Sequence, residues 1–155
     1  MSDFFSYQGK PPADVSASPL AEPTALLADL SAEEWEQFIG YTARRRYPAG
    51  AELVQAGQVD RALCFVASGQ LEVQRPGQRA ELRGEGEVVG LLSFLDGAPS
   101  AARIAVSAAG PAELLRLTPE ALQQLAAWKP RIAVLLLRDL GALVATRLRR
   151  LQPAD

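Results

Sequence analysis

The chain reads as a mainly β protein with flanking helices, an all-β barrel or roll at its centre. Two observations carry that expectation. Between Tyr47 and Leu117 short segments of alternating apolar and polar residues are separated by glycines, whereas helical spacing of apolar residues is confined to the two ends. The length of 155 residues, 48% of them hydrophobic and 22% charged, suits a single domain with one substantial core.

Residues 1–23 hold Pro11, Pro12, Pro19 and Pro23, so they are expected to form an extended arm or linker, with the domain proper running over 24–152. Phe4, Phe5 and Tyr7 give that arm apolar handles for docking on the domain or on a partner. The first helix is expected in "LSAEEWEQFIGYTARRR". Ser31 and Glu34 there form a capping box, Leu30, Trp35, Phe38 and Ile39 supply the buried stripe, and Arg44, Arg45 and Arg46 complement the dipole at the helix end.

Strands are then expected at "AELV", "ALCFVAS", "QLEVQR", "AELR", "ARIAV" and "AELLRL", with turns at Gly50, Gly57, Gly69, Pro76-Gly77 and Gly110. Helical texture returns at "TPEALQQLAAWKP", where Thr118 caps, Pro119 takes the first helical position and Pro130 ends or bends the helix. The last helix, 131–151, has a wide apolar stripe through Ile132, Leu136, Leu137, Leu140, Leu143, Val144, Leu148 and Leu151. Such a stripe must be covered, either by the chain's own barrel or by the same helix of a second copy. The expectation is a homodimer with a seam at Leu136, Leu137, Leu140, Val144 and Leu148.

Composition removes several classes of function. The sequence contains no histidine, which excludes His-based acid–base catalysis, Ser-His-Asp and Cys-His nucleophile systems, and most zinc sites. Asp96, Glu85 and Glu87 lie in turns without a base, nucleophile or metal constellation, so neither enzyme activity nor a cofactor is expected. A net charge of −2 and a pI near 5.3 do not suit a nucleic-acid surface. Cys64, the single cysteine, sits in an apolar run and is expected to be a buried, inert thiol, which suits a reducing cytoplasm. No signal peptide and no membrane span are expected.

The order of elements, together with "YPAGAELVQAGQ", "FVASGQLEV", "GEVVG" and "LDGAPSAARIAV", resembles the cyclic nucleotide-binding domain of catabolite-activator-type regulators over about Leu27 to Leu151. The resemblance implies a jelly-roll-like β-roll with an N-terminal helix and two C-terminal helices, the last of which usually forms the dimer seam in the bacterial regulators. It also implies a phosphate-binding cassette of the form Phe-Gly-Glu-Leu, several residues, then Pro-Arg and small residues. Onto this cassette Gly90, Leu92, Pro99, Ala101 and Ala102 fall in place, but Leu91 stands at the acidic position and Ser100 at the arginine.

Leucine accepts nothing from a ribose hydroxyl, and serine offers one neutral hydrogen bond in place of a charge-assisted pair. Losing one partner of a buried charge pair costs roughly 2–5 kcal/mol, so cyclic AMP and cyclic GMP are not expected to bind. Arg103 is not expected to compensate, because strand alternation turns it to the face opposite Ile104 and Val106. Leu91, Leu92, Phe94 and Leu95 are expected to fill the vacated pocket.

Only "QPAD" follows the last helix, so direct DNA binding is not expected. The functional expectation is a non-catalytic regulatory or interaction module that works through a protein partner. The alternative is a sensor of another ligand, such as a cyclic dinucleotide, through an open cavity lined by Leu71, Val73, Leu91, Leu92 and Ser100; the vestigial ligand site is Gly90, Leu91, Leu92, Ser100 and Ala101.

Overall fold

The structure, a computed structural model, describes residues 26–151. The proline-rich arm expected at 1–23 lies outside the described residues. Helix α1 (Ala32–Ile39) opens as the sequence predicts: the Ser31 hydroxyl accepts from the Glu34 N–H at 3.1 Å, and the Glu34 carboxylate accepts from the Ser31 N–H at 3.0 Å. It ends earlier than expected. The Gly40 N–H and the Thr42 hydroxyl close its C-terminus, the latter donating to the Ile39 carbonyl at 2.8 Å.

Arg44, Arg45 and Arg46 therefore do not cap a helix but lie in strand β1 (Ala43–Tyr47). This strand pairs over its whole length with β8 (Ala112–Leu117), and Arg44 reaches Glu113 at 3.0 Å. The reason is positional. Strand β1 is the outer strand of its sheet, and long charged side chains on an edge keep it from pairing with other chains.

The remaining strands are β2 (Glu52–Val54), β3 (Leu63–Ser68), β4 (Leu71–Gln74), β5 (Glu81–Arg83), β6 (Val88–Val89) and β7 (Arg103–Val106). They form two antiparallel four-stranded sheets, ordered β1-β8-β3-β6 and β2-β7-β4-β5. Apart from the β4–β5 hairpin, consecutive strands fall in different sheets, as in a jelly-roll-like β-roll. Helix α2 (Leu91–Asp96) interrupts the strands, and α3 (Pro119–Trp128) and α4 (Pro130–Leu151) follow them.

Alternation along β3 and β8 divides the interior in two. Cys64 and Val66 of β3, with Ala112 and Leu114 of β8, face the second sheet and pack there with Val54, Leu71, Val73, Ile104 and Val106. Leu63, Phe65, Leu115 and Leu117 face the other way and pack under the helices with Trp35, Phe38, Leu125, Ile132, Leu136 and Leu140. Edge-to-face rings tie α1 to the sheet, with centroids 5.8 Å apart for Trp35–Phe38 and 5.3 Å for Phe38–Phe65.

The chain enters this helical layer through Leu27, which is fully buried although its φ is +59°. Its N–H donates to Asp139 Oδ2 of α4 at 2.7 Å, a bond that offsets the unfavourable backbone conformation and ties the domain's entry to its last helix.

Candidate functional site

The segment expected to hold a phosphate starts at β6, turns at Gly90 and forms α2. Gly90 has a φ of +81°, and a Cβ there would lie 2.8 Å from the Ala62 carbonyl oxygen, so the turn requires glycine twice over. Helix α2 closes at Gly97, whose N–H donates to the Ser93 carbonyl at 2.8 Å. Arg61 adds a bond to the Phe94 carbonyl at 3.3 Å, placing a cation at the negative end of the helix.

The helical period decides where the four apolar residues of α2 go. Leu91 and Phe94, three apart, are 2% and 3% exposed and enter the core beneath the helices, while Leu92 and Leu95 are 59% and 43% exposed. None of the four fills the pocket between the sheets, contrary to expectation.

Ser100 is half-buried beside that pocket, but its hydroxyl is occupied: it donates to the Ala102 carbonyl at 2.7 Å and accepts from the Ala102 N–H at 3.2 Å. Its backbone pairs with the β2–β3 loop, accepting from the Gly57 N–H at 2.8 Å and donating to the Gln58 carbonyl at 2.9 Å. Ala101 is exposed. Arg103 faces outward as alternation predicts and pairs with Glu52 across to β2, Nε to Oε2, at 2.5 Å.

The cavity between the sheets measures about 20 Å³ and is walled by Leu53, Val54 and Ile104, with Asp60, Cys64, Ser93, Ser100 and Arg116 as its polar or titratable lining. A water needs roughly 10–15 Å³, so the enclosed space is about the size of one water. It differs from the open cavity expected along Leu71, Val73, Leu91, Leu92 and Ser100. Leu71 and Val73 are buried in the inter-sheet core, Leu91 and Leu92 point elsewhere, and of the five only Ser100 lines it.

Arg116 is the cation of this cavity. On β8 the alternation that turns Ala112 and Leu114 inward carries Arg116 to the same face, opposite Cys64 on β3. Its guanidinium lies 3.2 Å from Asp60 Oδ1 and 3.4 Å from Oδ2, and donates toward Cys64 Sγ at 3.6 Å. Asp60 is held in turn by the Ala62 N–H at 3.1 Å. Burial pushes the Cys64 thiol up to about 11, so it remains neutral at physiological pH, the inert thiol the sequence suggests. Sequence reasoning missed Asp60 and Arg116. The signal for Arg116 was available in "AELLRL", where every second residue, arginine included, shares the inward face.

The last helix divides its apolar residues between two faces. Leu136 and Leu140, expected in a dimer seam, are fully buried in the chain's own core and present nothing to a partner. Val134, Leu137, Leu148 and Leu151 are exposed, and with Gly141 and half-buried Val144 they recur at spacings of three and four along the helix.

The β-roll, the interrupting helix after a left-handed glycine and the terminal helices define the fold class, and sequence comparison gives the family. Residues 44–127 match the profile of the cyclic nucleotide-binding domain, and the chain belongs to that family. It is 37% identical over 130 residues to the cyclic AMP receptor protein of Thermus thermophilus, covering 80% of this chain and 57% of that protein. The chain thus spans a little over half the length of that curated relative. The crystal structure of Thermus thermophilus catabolite activator protein superposes with a TM-score of 0.69 at 34% identity, covering 81% of this chain and 58% of that one. A glutaminase 2 of Bradyrhizobium diazoefficiens is 31% identical over 136 residues, which cover 87% of this chain and 21% of that enzyme. Among the described residues no helix is long and apolar enough to cross a membrane.

Proposed function

We propose that this chain is a non-catalytic regulatory module that does not take cyclic AMP or cyclic GMP and acts through protein–protein contacts, the first of them with a second copy of itself. One observation carries the reading: the cation that lines the cavity, Arg116, is already paired with Asp60. The cassette supplies no replacement, because Leu91 is turned into the core and the Ser100 hydroxyl donates to its own loop.

Self-association rests on α4. Its outward stripe of Val134, Leu137, Gly141, Val144, Leu148 and Leu151 has the heptad spacing of a two-helix seam, and Gly141 allows close approach of a partner helix. The regulatory role follows from the family and from the cyclic AMP receptor protein among its relatives.

Light scattering on the purified chain tests the reading. The native protein is expected at the mass of a dimer whether or not cyclic AMP is added, and a variant carrying Leu137→Arg and Leu148→Arg at the mass of a folded monomer. A monomeric native protein, or a dimer that the two arginines leave intact, would remove α4 as the contact surface.

A further inference from the structure

Arg116 and Asp60 form a half-open arrangement, each side chain retaining 24% exposure. Their separations, 3.2 and 3.4 Å, exceed the roughly 2.7–2.9 Å of a tight charge-assisted pair. Asp60 is held there by the chain itself: the Ala62 N–H orients its carboxylate, and Arg61 next to it is pinned to the carbonyl end of α2. Two hydroxyl residues, Ser93 and Ser100, line the same cavity. A guanidinium in a fixed fork, lining a small cavity, has the chemistry of an oxyanion site. Its anion position is taken by a carboxylate of the same chain.

We propose that Asp60 is an internal competitor that masks a small-oxyanion site on Arg116, and that removing its carboxylate converts the cavity into a site for a tetrahedral oxyanion such as inorganic phosphate. The inference deepens the reading that the module takes no cyclic nucleotide, on which it rests, by naming the group that blocks the anion. It also explains the size of the cavity: the Asp60 carboxylate stands in the space that a phosphate would occupy, and its removal gives back both volume and charge.

Calorimetry and thermal shift with inorganic phosphate as the probe, against chloride at equal ionic strength, test this on the full chain. The native protein is expected to show no saturable heat. Asp60→Ala is expected to bind phosphate at least roughly ten- to a hundredfold more tightly, the factor that one hydrogen-bonded charge contributes. Asp60→Ala combined with Arg116→Gln is expected to lose that binding.

Should Asp60→Ala fail to fold, Asp60→Ser, which removes the carboxylate and its volume but keeps an acceptor near the Ala62 N–H, is read in the same way. Native protein binding phosphate as well as the variant, a folded variant that binds none, or binding that survives the loss of Arg116 would each overturn the proposal. Cyclic AMP titrated into the native protein reads the underlying function separately, so the two failures are distinguishable.

Discussion

Replacing Gly90 with alanine tests whether the turn into α2 is pressed against the segment that carries Asp60. Gly90 combines a φ of +81° with a Cβ position 2.8 Å from the Ala62 carbonyl oxygen. The left-handed backbone alone costs an alanine roughly 1–2 kcal/mol. Relieving the contact requires the turn or the lead-in to β3 to shift, which adds roughly 1–3 kcal/mol on the scale of overpacked cores. Gly77, in the β4–β5 turn, provides the control: its φ is +72° and nothing lies within 4 Å of its Cβ position.

Gly77→Ala is thus expected to show the conformational penalty alone, and Gly90→Ala a total loss of about 2–5 kcal/mol. Equilibrium urea unfolding followed by tryptophan fluorescence measures both, since Trp35 is buried in the helical core. Equal losses in the two variants would refute the close approach of Gly90 to Ala62, and with it the mechanical link between the cassette turn and residues 60–62.

Further expectations concern the core and the helical layer. The Cys64 thiol has an ordinary value of 9.0 that burial raises to about 11, so its contribution to stability is complete below pH 9 and is lost as pH rises toward 11. The unfolded chain ionises first over that interval, and the loss, about 3 kcal/mol at 1.36 kcal/mol per pH unit, should be absent from the alkaline limb of Cys64→Ala when urea unfolding is repeated across the range. Asp139→Ala is expected to cost about 1–3 kcal/mol by stranding the buried Leu27 N–H. Asp139→Asn, which keeps an acceptor, should cost less than half of that in the same unfolding assay. Hydrogen exchange at the Leu27 amide should rise in the alanine variant and stay near native in the asparagine one.

Much of this fold was legible because local chemistry and tertiary need agree. The capping box of Ser31 and Glu34, the Thr118 hydroxyl that accepts from the Ala121 N–H, and Pro119 at the first position of α3 mark helix starts through contacts only a few residues apart. All six strands expected from alternation exist, β5 through its pairing with β4 although none of its residues is buried. Strand β1 escaped notice because its identity comes from β8, some 70 residues away, and a run of three arginines carries no apolar period. Strand β6, two valines, is too short for any period to register.

The site was legible in outline only. The sequence has Leu91 and Ser100 where the resemblance implies an acid and an arginine, but it did not show where the apolar residues of α2 point. That depends on which face of the one-and-a-half-turn α2 meets the core, and Leu91 and Phe94 are the residues that do. Asp60 and Arg116 lie 56 residues apart, and only the pairing of β3 with β8 brings the arginine beside Cys64 and within reach of the aspartate.

Isothermal titration of the native chain with cyclic AMP and then cyclic GMP tests the central claim most directly. The account predicts no saturable heat up to millimolar nucleotide, because the cavity is small and its cation is already paired. Saturable binding in the micromolar range would contradict it, since the Asp60–Arg116 pair would then have to open and another group hold the phosphate.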